Sequence, residues 1–198
     1  MITVAGRSPG DLLAGLQQQL EDDHVRMLRV LELTQQQVCG AAPDWPRVAA
    51  LLEFLSEYSD RVHYPQENRV LDRLLQNCVT PAQRQMVYLD LAEHERMLSR
   101  TNALREIVHG FAAGAPRDES LCAEVCSYLD VQRAHIALEE RRILPLLEER
   151  LSAGDWLELE AEIREEARSS REALAAAAAV DWRRRLLQRY AQLTGICD

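Results

Sequence analysis

The chain has 198 residues, 47% of them apolar and 28% charged, and carries a formal net charge of −9. That length and apolar content suit one packed domain with a short appendage and argue against a disordered chain. The acidic balance argues against nucleic-acid or anionic-membrane partners, because phosphate binding needs a basic face.

Residues Met1 to Gly10 hold neither a basic n-region nor a long apolar run, so no secretory leader is expected there. The longest apolar run, Ala173 to Val180, is mostly alanine and too short to span a membrane. A first helix is expected from Leu12 to Val38, ending at Gly40. Pro43 and Pro46 break the chain, and Asp44 is placed to cap a second helix from Pro46 to Asn77. Thr80-Pro81 opens a third, which runs to His109 before Gly110, Gly114 and Pro116. A fourth spans Arg117 to Arg150, a fifth restarts at Ser152 to Asp155, and Ser169 to Leu193 reads as further helix.

Short loops between long helices predict antiparallel neighbours. The expected fold is therefore all-α: an up-down-up-down four-helix bundle over residues 10–150. A C-terminal helical extension of one or two helices follows over residues 151–198. Leu174, Trp182, Leu186, Tyr190 and Leu193 form an apolar stripe on that extension, which either caps the bundle or makes a homodimer contact. Five cysteines, Cys39, Cys78, Cys122, Cys126 and Cys197, are an odd number at irregular spacing. Without a leader they read as free thiols in the cytoplasm, with Cys122 and Cys126 as helix-packing residues.

Four of the five histidines form a repeated arrangement: His24, then His63-Tyr-Pro-Gln-Glu67; His94, then His135-Ile-Ala-Leu-Glu139. Residues i and i+4 share a helix face, so each His–Glu pair points the same way. At about 1.5 Å per residue, all four histidines fall in one layer roughly 18–22 Å from one end of the bundle, with both glutamates one turn away. The histidines also lie on apolar stripes. His24 falls with Leu20, Met27 and Leu31, His94 with Val87, Leu91, Leu98 and Thr101, and His135 with Tyr128, Val131, Leu138 and Leu146.

One core histidine is readily satisfied by a local hydrogen bond. Four of them beside two carboxylates would leave buried polar groups that each cost several kcal/mol without a cation. Imidazole and carboxylate are suitable metal ligands, so His24, His63, Glu67, His94, His135 and Glu139 are the candidate metal site. Six donors suit two ions better than one and leave open positions, whereas zinc more often closes a four-ligand shell. Carboxylate-rich di-iron bundles with Glu-x-x-His spacing fit poorly. His109 lies far along the third helix, where interaction with the helix C-terminus explains it. Pro65, between two candidate ligands, should kink the second helix and aim them. Tyr128 either lines the pocket above the site or is a core residue.

Glu21-Asp-Asp-His24, His63-Tyr-Pro-Gln-Glu67, Glu93-His94-Glu95 and His135-Ile-Ala-Leu-Glu139-Glu-Arg-Arg-Ile-Leu-Pro145 together resemble the hemerythrin-like, or HHE cation-binding, family over about residues 10 to 150. The resemblance implies a four-helix bundle with a non-haem, oxo- or hydroxo-bridged centre of two iron ions. Oxygen-carrying hemerythrins place a second histidine one turn after the third-helix ligand and end in His-x-x-x-x-Asp. Leu98 and Glu139 stand there in this chain, so the expected site is nearly symmetric, with two histidines per iron. That pattern is similar to bacterial proteins linked to repair of iron centres after nitrosative stress, and to the sensing domain of a eukaryotic ubiquitin-ligase subunit. The repair proteins' N-terminal cysteine-containing domain is not found. The expected function is O2 or NO binding in sensing or stress response. The alternative is a di-iron enzyme or iron donor acting in peroxide or NO reduction or in repair of iron centres.

Overall fold

The computed structural model describes residues 9–40, 42–111, 115–173 and 178–195, and among them every regular element is helical. The helices are α1 (Pro9–Cys39), α2 (Trp45–Tyr58), α3 (Tyr64–Asn77), α4 (Pro81–His109), α5 (Glu119–Leu138), α6 (Leu144–Arg150), α7 (Ala153–Ala173) and α8 (Ala178–Thr194). Single π-helical turns, Ser59–His63 and Glu139–Ile143, join α2 to α3 and α5 to α6 without a loop. The fold is an all-α bundle in which α2 packs on α1 and α4, α5 packs on α1 and α4, and α3 packs on α4.

Local chemistry sets the helix starts. Asp44 accepts a hydrogen bond from the Arg47 amide at 3.1 Å, and Asp118 accepts one from Leu121 at 2.9 Å. Thr80 and Gln83 form a reciprocal capping box ahead of Pro81. The exposed carbonyls at the end of α1 are covered from a distance: the Arg117 guanidinium donates to Val38 O at 2.6 Å and Gly40 O at 2.8 Å. α8 closes at Gly195, whose φ of 72° lies in the left-handed region that glycine tolerates.

The apolar interior falls into two clusters. One gathers Met27, Leu31, Trp45, Phe54, Tyr58, Leu104, Val125 and Tyr128; the other gathers Leu20, Val70, Leu74, Val87, Ile143, Leu147, Trp156 and Leu159. The candidate histidines lie in sequence between members of the two clusters, His24 between Leu20 and Met27, His94 between Val87 and Leu104. A polar layer therefore divides the core. On the His135 helix Tyr128, Gln132 and Glu139 are buried, while Val131 and Leu138 are 44% and 36% exposed. The expected apolar stripe is rotated there, because the inward face centres on the His135–Glu139 side and not on its opposite edge.

The two C-terminal helices lie against the bundle. α7 packs on α1 and α3, burying Trp156 and Leu159, and Arg73 reaches Asp155, Glu158 and Glu162 at 3.3, 2.7 and 3.0 Å. α8 packs on α2 and α1. Leu186 and Tyr190 join the first apolar cluster, the Tyr190 ring lying 5.6 Å from that of Phe54, and Leu193 packs partly buried beside them. These three members of the stripe are used within the chain. Leu174 and the side chain of Trp182 lie outside the described residues. No helix among the described residues is long and apolar enough to cross a membrane.

Leu186→Ala should lower stability by about 2–4 kcal/mol in urea unfolding, the range for a buried leucine. The same change at Leu157, which is 40% exposed, should cost under about 0.5 kcal/mol.

Candidate metal centre

The six residues singled out in the sequence converge. His24 comes from α1, His63 closes the first π turn, Glu67 lies one turn into α3, His94 is in α4, His135 in α5, and Glu139 opens the second π turn. All six are buried. The His24 and His63 rings meet edge to face with centroids 5.0 Å apart, and His94 and His135 repeat that arrangement at 5.0 Å. The carboxylates lie between the pairs. Glu139 places Oε2 3.3 Å from His24 Nε2, and Oε1 3.2 Å from His94 Nε2 and 2.6 Å from His135 Nε2. Glu67 Oε2 lies 3.2 Å from His63 Nε2 and 3.3 Å from His94 Nε2.

Every ring turns Nε2 inward because an oxygen faces its Nδ1 from outside. Asn68 Oδ1 is 2.7 Å from His94 Nδ1, and Glu93 Oε2 is 3.1 Å from His135 Nδ1. Glu140 faces His24 Nδ1 at 3.6 Å, and Asp23 faces His63 Nδ1 at 3.7 Å. Asp23 is in turn held by the Tyr58 hydroxyl, which donates to it at 2.5 Å. These outer partners follow a rule. Asp23 and Glu93 each precede an inward histidine, and Asn68 and Glu140 each follow an inward glutamate. The two halves of the chain thus repeat the whole arrangement, and such outer oxygens are what orients an imidazole toward a metal.

The backbone adapts to carry this layer. Pro65 has no amide proton for Arg61 O, and the π turn before it sends the Tyr64 amide to Ser59 O instead. The expected kink is thus a widened turn, a form common at functional sites. A second one, unforeseen in the sequence, precedes Pro145, where the Leu144 amide reaches Glu139 O. Tyr64, at the first of these turns, stacks on His94 with ring centroids 4.1 Å apart and planes at 13°. Tyr128 is held by Thr101 Oγ1 at 2.7 Å and by Gln132 Nε2, which donates to it at 3.1 Å. His109 is exposed in the last turn of α4, away from the cluster.

One member of the layer was missed. Asp90 is 1% exposed, one turn before His94 on the same face, and its Oδ1 lies 3.6 Å from His135 Nδ1. The i, i+4 spacing that links His63 to Glu67 also links Asp90 to His94 and was the available signal. Its counterpart in the other half, one turn before His24, is the buried Leu20. At this position the two halves differ.

Charge in the layer is finely opposed. Burial works against protonating His63 and His135, but the carboxylates around them prevail: Glu67 and Asp23 hold His63 at about 10, and Glu139 and Asp90 hold His135 at about 9. Burial acts to raise Glu139 as well, yet the close approach of His135, His24 and His94 keeps it well below its ordinary value. Asp90 is pushed up to about 8, by burial first and then by the charge of Glu139. Even so, many polar atoms stay unpaired. Both nitrogens of His24, both oxygens of Glu67 and of Asp90, His135 Nε2 and Glu139 Oε2 are buried without a hydrogen bond. Each such group costs roughly 1–3 kcal/mol in an apolar interior. Their atoms gather into two sets that could each hold a metal ion, His24/His63/Glu67/Glu139 and Asp90/His94/His135/Glu139. The residues fit a pair of cations, and imidazole with carboxylate suits a transition metal.

Fold and site together define an all-α cation-binding bundle. The family profile of the hemerythrin HHE cation-binding domain matches residues 16–147, more than half of the chain, and the chain belongs to that family. Comparison with curated proteins and with solved structures gives no match.

The metal-free protein should lose stability as pH rises. His63 and His135 bind protons more tightly folded than unfolded, so their contribution is complete below about 6.5 and is lost through 9–10. Asp90, raised above its ordinary carboxylate value, acts in the same direction as pH climbs toward 8. Thermal unfolding of chelator-stripped protein should show Tm falling by more than about 5 °C between pH 6.5 and 10.

Proposed function

We propose that this chain is a non-haem di-iron protein that binds O2 or NO in sensing or stress response. The bundle would span residues 10–150, with residues 151–198 as an extension. His24 and His63 would hold one iron, His94 and His135 the other, and Glu67 and Glu139 would span both. The observation that carries this reading is the position of Glu139, which belongs to both donor sets and turns one oxygen to each histidine pair. Glu67 supports it, since a single oxygen lies within 3.3 Å of histidines from both pairs.

Iron bound there would supply a change of oxidation state and open coordination positions for a small diatomic ligand. The protein's own part is to keep the site aligned and its charge balanced. Outer oxygens from Asn68, Glu93, Glu140 and Asp23 hold the imidazoles in place. The carboxylates around His63 and His135 favour their protonated forms, and a cation would have to displace those protons, so loading should release protons and strengthen as pH rises. The apolar clusters on either side keep bulk water from the layer. A cytoplasmic location, and signalling through α7 and α8 to a partner or second copy, complete the proposal. α7 and α8 both pack on α1, which carries His24.

Anaerobic loading with ferrous iron, followed by O2 and NO titration in an absorbance cell, tests this reading. Two irons per chain, a ligand-dependent band and no sustained turnover of peroxide or NO are expected. Sustained turnover would move the assignment to a di-iron enzyme, and an iron-loaded sample without a ligand-dependent band would overturn ligand binding.

Glu139→Gln should lower the affinity for both ions, reducing retained iron by at least about half, a loss typical of disturbed metal sites. His109→Ala, at an exposed position, should leave iron content unchanged by metal analysis.

A further inference from the structure

We propose that Asp90 is a seventh metal ligand, specific to the His94/His135 position, and that it makes the two metal positions unequal in donor set and affinity. This inference rests on the di-iron reading above. A carboxylate at Asp90 would give the second position an oxygen donor of its own, while the first relies on histidines and the shared glutamates.

Three observations carry it. Asp90 is 1% exposed, and neither of its oxygens has a hydrogen bond. A buried carboxyl with no hydrogen bond, and only a 3.6 Å ion pair to His135, is a costly group to keep unless something else binds it. Its carboxylate also groups with donor atoms of His94, His135 and Glu139, all lying within 4.8 Å of one another. Finally, the competing role is already filled. Asp23 faces His63 Nδ1, whereas His135 Nδ1 already has Glu93 at 3.1 Å, so Asp90, 3.6 Å from the same nitrogen, is not needed to orient the ring. Elsewhere the two halves repeat one another; here the first half has Leu20, which needs no partner.

The inequality has a chemical consequence. An anionic oxygen donor favours the harder, more oxidised ion, so the His94/His135 position would be the one at which oxidised iron is better stabilised.

The test uses Asp90→Leu, which copies the Leu20 side, and the near-isosteric Asp90→Asn, both in the full chain. Ferrous iron is added anaerobically in competition with a chromophoric chelator, and Tm is measured for stripped and loaded protein. Wild type should bind two irons with unequal affinity. Asp90→Leu should weaken one of them at least tenfold and leave the other within about twofold, with Asp90→Asn between. Stripped Asp90→Leu should also melt higher than stripped wild type, because a buried carboxyl with no hydrogen bond has gone, while its gain in Tm on loading shrinks. If Asp90→Leu does not fold, Asp90→Asn supplies the affinity comparison alone. Two irons bound by wild type and by both variants with unchanged affinities would overturn the role of Asp90 and leave the di-iron reading standing. Lower Tm of both stripped variants with iron binding intact would make Asp90 a packing or outer residue and equally overturn it. Failure of wild type to bind iron would overturn both readings together.

Discussion

The structure depends on a layer of ionisable groups set across the middle of its own core. His24, His63, Glu67, Asp90, His94, His135 and Glu139 are all buried, with an apolar cluster on either side. Water cannot reach such groups to solvate them, so they must satisfy one another or be satisfied by a cation. Among themselves they do so only in part, and several of their atoms have no hydrogen bond. Opposite charges held this close in a low-dielectric interior attract strongly, but breaking any one pairing strands its partner. The same arrangement that makes the layer costly to bury makes it a strong trap for positive charge.

The helices pass through this layer by bending their hydrogen-bonding pattern, not by breaking. Each π turn is followed within two residues by a proline, Pro65 or Pro145, whose missing amide proton would otherwise leave a carbonyl without its helical partner. A wider turn rotates the downstream face relative to a regular helix. His63 and Glu139 both sit within these turns, so the backbone irregularity lies at the layer and not in the loops. The remaining helices brace it: α7 and α8 pack on α1, and α8 also lies on α2.

The internal repeat explains both the order and the exception. Each half supplies one long helix bearing a histidine and one interrupted helix bearing His-x-x-x-Glu, and each half supplies outer oxygens that orient rings. Repetition alone would produce two like positions. The difference between Leu20 and Asp90 puts an ionisable carboxyl on one side and an aliphatic side chain on the other, at the same turn of equivalent helices. At this one buried position the two halves therefore differ in polarity.

Helix positions and the six inward residues were legible in the sequence because both depend on short-range rules. Caps such as Asp44 and Thr80, with punctuation by proline and glycine, act within a few residues, and i, i+4 spacing places His63 with Glu67 and His135 with Glu139 wherever the helix goes. Family membership follows from the same ordered residues. Other features were decided only by tertiary structure. Asn68, Glu93 and Glu140 look like ordinary surface polar residues until a histidine from another helix is brought to them. The rotation that exposes Val131 and buries Gln132 depends on which neighbour α5 meets, and the packing of Leu186 and Tyr190 depends on where α8 comes to rest. Asp90 falls between the two: its spacing to His94 is local, but its place beside His135 and Glu139 arises only when α5 and the turn after it come against α4. Local backbone geometry determines which side chains share a face; only the packed bundle determines what that face meets.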